Sequence, residues 1–175
     1  MIEALGTTLM LAELVDEFLS GPLELWCCEI EKPEADSLIG AIQIATLSID
    51  HRGRRHPHQW RIPLSVLERL RDALIGRAEE IRTKTSFSSL HALVVAECLG
   101  IRGAGELLAY DVAFRIGLYL GFEPQKVYLH AGTRTGARRL GLNGAAVSLS
   151  ELPRELQRLQ PCQVENFLCL YANKL

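Results

Sequence analysis

Apolar residues recur at steps of three and four along most of the chain, a period that predicts amphipathic helices. The pattern runs through 3–19 and stops at Gly21-Pro22, and it runs again through 64–81, where Pro63 suits the start of a helix. Further helices are expected over 35–48, from Ser86 or Ser88 to Leu99, from the residues after Gly105 to about Leu120, and over 133–140, 150–159 and 161–172. No segment alternates convincingly between apolar and polar residues, so the pattern predicts an all-α fold.

The size and composition of the chain fit one globular domain. Its 175 residues, 48% hydrophobic and 23% charged, are enough to bury a core. No run approaches 18 uncharged apolar residues, so we expect no membrane span and no membrane partner. Acidic residues interrupt the apolar N-terminus and no cleavage site of a signal peptide follows, which predicts a cytoplasmic protein.

The net charge of −2 conceals an uneven distribution. Residues 1–50 contain ten acids and one base, whereas 51–142 contain fifteen Lys and Arg against eight acids. A basic region of this size could bind a polyanion if its arginines share one face. Alternatively, these arginines pair with the acidic N-terminal third and need no partner.

The spacings of cysteine and histidine do not indicate a metal site. The five cysteines include no CxxC pair. His56-Pro57-His58 has an i, i+2 spacing that could ligate a metal from an extended segment, but no third ligand lies nearby in the sequence. We therefore expect neither a metal nor a cofactor.

A glycine-bounded turn separates two of the predicted helices. Gly103 and Gly105 flank one residue, a spacing that allows a sharp bend and leaves backbone amides exposed at the start of the next helix. A nucleic-acid phosphate could bind there, because the helix dipole favours negative charge at that end. A plain helix connection with a glycine C-cap explains the same residues.

The turn Ile101-Arg102-Gly103-Ala104-Gly105, followed by Ala109, resembles the hairpin of helix-hairpin-helix proteins. Val127-Tyr128-Leu129-His130 and Arg138-Arg139-Leu140-Gly141 fall where the DNA glycosylases of that superfamily, in the oxoguanine-glycosylase-like branch, have a V-D-x-H segment and an R-x-G-like helix end. The resemblance covers 88–142. It implies a helix-hairpin-helix glycosylase-like fold of two packed helical lobes in a single domain, with 1–50 packed on this core and DNA as the partner.

Departures from the family pattern remove its usual chemistry. The position of the catalytic aspartate is Tyr128, and the position of the lysine found in some members is Leu107. A phenol with a pKa of about 10 cannot replace a carboxylate, and leucine cannot form a Schiff base. The iron–sulfur motif of certain members is also incomplete, since its third cysteine position is Ala172. The resemblance therefore implies DNA binding and leaves catalysis without its usual residues.

Other residues are candidates for the parts of such a site. Asp111 or Glu106 could supply the carboxylate, although Asp111 and Arg115 at i, i+4 also fit a surface helix pair. Tyr128 and His130 could line a base pocket, and a role as buried, hydrogen-bonded side chains explains them as well. The candidates for phosphate contact are Arg102, Gly103 and Gly105 of the turn, Arg52, Arg54, Arg55 and Arg61 of a basic loop, and Arg134, Arg138 and Arg139 of a later helix.

Three functions stay open at this point. The first is a DNA-binding protein that holds the phosphate backbone through the turn and the arginines. The second is a divergent DNA glycosylase that excises a damaged or modified base. The third is a helical protein-interaction subunit, or a homodimer, that needs no nucleic acid.

Overall fold

The computed structural model describes residues 2–21, 32–49, 54–56 and 58–175. Within these residues it contains eight α-helices and one two-stranded sheet, so the predicted all-α class is confirmed. The helices are α1 (Ile2–Ser20), α2 (Leu38–Leu47), α3 (Leu64–Gly76), α4 (Ala78–Arg82), α5 (Phe87–Leu99), α6 (Glu106–Leu120), α7 (Ala131–Arg139) and α8 (Pro161–Leu170). The strands are β1 (Val127–Tyr128) and β2 (Ala146–Val147). Every helix in the described part of the chain is too short or too polar to cross a membrane.

The chain divides into two compact units. The terminal unit comprises Met1–Glu29 and Pro124–Leu175, and the central unit comprises Ile30–Glu123. The predicted core over 88–142 therefore contributes to both units. The packing of 1–50 on that core stays a prediction.

In the central unit, serine caps set where two helices begin. The Ser37 hydroxyl accepts a hydrogen bond from the backbone N–H of Gly40 at 3.1 Å, and Ser86 accepts one from Ser89 at 3.3 Å. α6 packs against α5 and α2, and α2 also packs against α3. Every residue from 108 to 117 is buried, so α6 is buried along most of its length.

In the terminal unit, α7 packs closely against α8, and β1 also contacts α8. Val127 pairs with Val147 in antiparallel register. The core contains Phe18, whose ring meets Phe167 edge-on at 5.7 Å between centroids. Gly136 of α7 lies against the backbone of α8, because a Cβ there would be only 2.1 Å from the Leu168 carbonyl oxygen.

Three predictions about elements need correction. The helix expected over 150–159 is wrong: two 3₁₀ turns, Leu149–Glu151 and Leu156–Arg158, stand there instead. Pro153 explains the break, since it disfavours a helical Leu152, which is extended at ψ 157°. The helix expected over 64–81 is interrupted at Arg77, between α3 and α4. The two strands were not predicted, because two residues are too few to show an alternating pattern.

Candidate functional site

The connection between α5 and α6, residues 101–105, forms a tight turn that we call the hairpin. The N–H of Ala104 donates to the carbonyl of Ile101 at 3.0 Å, and the Ile101 side chain is buried beneath the turn. Arg102, Gly103 and Gly105 are exposed. The hairpin therefore presents one cationic side chain and two glycines to solvent.

The fold requires glycine at one of these two positions only. Gly103 has φ +96°, in the left-handed region, and a Cβ there would lie 3.3 Å from Cγ2 of Val66. Gly105 has φ −101° and ψ 175°, which any residue adopts, and a Cβ there would meet nothing within 4 Å. Gly105 is also the N-cap of α6, and no side chain caps the helix. The first backbone N–H groups of α6 therefore have no N-cap side chain in front of them, although many helices have one.

The arginines of α7 lie in the terminal unit. Arg138 and Arg139 are exposed in its last turn, whereas Arg134 is half-buried and donates from Nη2 to the Leu129 carbonyl at 2.7 Å. Together with residues 142–145, Arg134 and Arg138 line an open pocket of about 350 Å³. Two arginine side chains therefore give the lining of this pocket a positive charge.

The basic loop uses part of its charge internally. Arg55 donates from Nη1 to the Ile62 carbonyl at 2.7 Å and from Nη2 to the Trp60 carbonyl at 3.1 Å. The Arg61 guanidinium stacks over the Trp60 ring at 4.9 Å. Arg54 is exposed, and Arg52 lies outside the described residues. Arg55 therefore fixes the loop, which is a different role from the predicted phosphate contact.

The two candidate carboxylates differ in exposure. Glu106 is exposed in the first turn of α6. Asp111 is 1% exposed, and its Oδ2 accepts a hydrogen bond from Gln59 Nε2 at 2.5 Å and lies 3.0 Å from Nδ1 of His58. The predicted surface pair of Asp111 with Arg115 is wrong, since Arg115 is 5% exposed. The i, i+4 spacing lies on a helix that is buried, so the pair faces the interior.

The two candidate base-pocket residues are His130 and Tyr128, and His130 lies beside a carboxylate. Nε2 of His130 lies 3.0 Å from Oε1 of Glu165 on α8, which also accepts a hydrogen bond from the Thr133 hydroxyl at 2.9 Å. His130 is buried, as the alternative interpretation expected. Tyr128 is half-buried on β1. Both belong to the terminal unit, whereas Asp111 and Glu106 belong to the central unit.

Polar side chains that the sequence did not predict to lie together form a cluster around Asp111. His56, His58 and Asp111 each offer one ligand atom, and these atoms lie within 4.8 Å of one another. Gln59 is fully buried beside them, and Arg115 follows one turn after Asp111 on α6. We call these five residues the polar cluster. The i, i+2 histidine spacing was its one local signal, because Asp111 is 53 residues from His58.

Burial dominates the electrostatics of the polar cluster. Burial and then the positive charge of Arg115 lower the pKa of His56 to about 4, so this imidazole is neutral near pH 7. Burial also lowers the pKa of Arg115, and the nearby Asp111 partly opposes that effect. The terminal nitrogens of Arg115 and Nε2 of His56 have no hydrogen-bond partner within the described structure. Such buried polar atoms are uncommon in proteins.

No protein-family model matches the chain, and no curated protein or solved structure matches it significantly.

Proposed function

We propose that the protein binds DNA by contacting the phosphate backbone through the hairpin, as helix-hairpin-helix proteins do. The observation that carries this proposal is the open space at Gly105, at an uncapped helix start beside the exposed Arg102. A phosphate oxygen accepts hydrogen bonds from backbone amides at a helix N-terminus, and the helix dipole adds to the attraction. Such contacts do not involve bases, so binding should depend little on DNA sequence.

The charges near the hairpin act in opposite directions. Arg102 favours a phosphate, whereas Glu106 in the first turn of α6 repels it. Arg138 and Arg139 offer further exposed cations in the terminal unit. On this proposal Glu106 is not the replacement carboxylate considered in the sequence analysis, and Glu106→Gln should strengthen DNA binding.

Base excision is not part of the proposal. Asp111, the other carboxylate candidate, is enclosed by Gln59 and His58 and is almost without solvent contact. A carboxylate that supports departure of a base must reach the sugar of an extruded nucleotide. The hairpin needs no such access, because its exposed backbone is the binding group.

The test is a matched pair of substitutions at Gly105. Both Gly105→Ser and Gly105→Asp place a good N-cap oxygen where the backbone already has N-cap geometry, so each should raise the stability of α6 by a few tenths of a kcal/mol. Only the aspartate adds a negative charge. Like charges about 4 Å apart repel by ~1 kcal/mol in water and more near a protein surface, so Gly105→Asp should bind DNA roughly tenfold more weakly than Gly105→Ser.

Affinity is measured by fluorescence anisotropy with a short labelled duplex of mixed sequence, over a series of salt concentrations. Arg102→Ala should weaken binding and lower the slope of log K against log salt by about 1, because one phosphate contact is lost. Arg82→Ala, which removes an exposed arginine of α4, is the control for loss of one charge. Wild-type protein that does not bind the duplex at low salt, or equal affinities for the two Gly105 variants, would refute the proposal.

A further inference from the structure

We propose that His56, His58 and Asp111 form a binding site for one divalent transition-metal ion, with Zn²⁺ as the representative ion. Two imidazoles and one carboxylate from a loop and a buried helix provide the donor set. This set favours ions such as Zn²⁺ over Mg²⁺ and Ca²⁺, which prefer oxygen ligands alone. The site lies in the central unit and does not depend on DNA binding at the hairpin.

The spacing of the donor atoms is close to what a small metal ion requires. With bonds of about 2.0–2.2 Å, the ligands of a tetrahedral Zn²⁺ lie roughly 3.3 Å apart. Nδ1 of His58 and Oδ2 of Asp111 are already 3.0 Å apart, and the third ligand atom lies within 4.8 Å of them. A shift of about 1.5 Å by His56 would complete the set, and this residue belongs to a loop.

The hydrogen bonds of the cluster suit metal ligation. His58 and Asp111 face each other across a distance typical of a shared proton, and a metal ion can replace that proton. Gln59 Nε2 donates to the same carboxylate oxygen and orients it, as the residues around metal ligands commonly do. Nε2 of His56 is buried beside Gln59, and Nδ1 accepts the backbone N–H of His58 at 3.3 Å. Coordination through Nε2 therefore requires the ring proton to move to Nδ1 and the weak hydrogen bond from His58 to be given up.

The positive charge of Arg115 is the main opposing feature. It offsets the charge of Asp111, so a bound divalent ion would leave an excess of positive charge in a buried place. An anion or hydroxide at the remaining coordination positions would reduce that excess. Nη1 and Nη2 of Arg115 have no hydrogen-bond partner in the described structure and could donate to such an anion. We therefore expect the metal to bind together with a small anionic ligand.

The experiment uses the full chain after treatment with EDTA and dialysis. Titration calorimetry with Zn²⁺ should give one ion per chain, and Mg²⁺ should give no binding. His58→Gln should weaken Zn²⁺ binding by at least about tenfold, and the 44% exposure of the His58 side chain makes loss of the fold unexpected. Asp111→Asn should do the same while it keeps the shape of the side chain. His91→Gln, on α5 and outside the cluster, is the matched control and should bind like wild type.

A Co²⁺ spectrum separates this site from the cysteines of the chain. Nitrogen and oxygen ligands should give visible d–d bands without a strong thiolate-to-cobalt charge-transfer band, and His58→Gln should reduce the d–d bands. Zn²⁺ should also raise the Tm of wild type and of His91→Gln but not of His58→Gln, since a ligand that binds only the native state stabilises it. Absence of Zn²⁺ binding, equal binding by His58→Gln, comparable affinity for Mg²⁺ or a thiolate band would each overturn the proposal.

Discussion

Gly136→Ala is expected to destabilise the protein, although alanine is the better helix former. The new Cβ would lie 2.1 Å from the Leu168 carbonyl oxygen and 2.9 Å from its carbonyl carbon. Ordinary contact begins at about 3.4 Å, so about 1.3 Å of overlap must be relieved. The neighbour is helix backbone and cannot rotate away, so α8 must move from α7. If α8 moves about 1 Å away from α7, each side-chain contact between the two helices loses up to about half of its dispersion energy.

The expected net loss is about 2 kcal/mol of unfolding free energy. Overpacking of this kind costs roughly 1–3 kcal/mol or more, and the helix propensity of alanine returns at most about 1 kcal/mol. Urea unfolding followed by far-UV circular dichroism measures the difference. Gly132→Ala on the same helix is the control: its Cβ would lie 2.7 Å from Sγ of Cys169, a side-chain atom that can turn away. If Gly136→Ala proves as stable as Gly132→Ala, the inferred backbone contact between α7 and α8 is wrong.

Three further outcomes follow from local geometry. Gly103→Ala should lose about 1–2 kcal/mol in urea unfolding, because φ is +96°, and a loss no larger than that of Gly105→Ala would contradict this. Glu165→Ala should lose about 1–3 kcal/mol, because the buried Thr133 hydroxyl loses its acceptor and His130 loses the carboxylate beside it, whereas Glu165→Gln keeps an acceptor for Thr133 and should lose less. Burial raises the pKa of the Cys98 thiol to about 11, so iodoacetamide at pH 8 should leave Cys98 unmodified in the native protein and label it in denaturant, as peptide mass spectrometry can determine. Rapid native labelling would show that this thiol is accessible.

The helices were largely predictable because their signals are local. The serine at position 86 caps α5 as one of the two alternatives expected, and Gly121 ends α6 at φ +81°, where glycine is favoured. Pro153 is also a local signal, and it opposes the helix predicted over 150–159. The paired strands gave no such signal, since their partners lie 18 to 20 residues apart along the chain.

The polar cluster was less predictable, because two interpretations of α6 use the same spacing. An acidic and a basic residue at i, i+4, such as Asp111 and Arg115, give the same sequence pattern on a surface helix and on a buried helix. A usable signal was present in the rest of that helix: from 107 to 120 these are its two charged residues, and apolar side chains occur on every face. A helix that is apolar all round is buried, so its charges must be buried with it. No local pattern predicts that the loop brings His58 and Gln59 to Asp111.

The burial of these charges is itself an argument for function. An ion removed from water loses several kcal/mol of hydration, and apolar side chains of similar volume are often as stabilising or more so. Asp111 recovers part of that loss through Gln59 and His58, whereas the terminal nitrogens of Arg115 find no hydrogen-bond partner in the part of the chain that the structure describes. Stability alone therefore gives no reason for this arrangement. Metal ligation gives one, since it would use the imidazoles and the carboxylate together and attract an anion to Nη1 and Nη2 of Arg115.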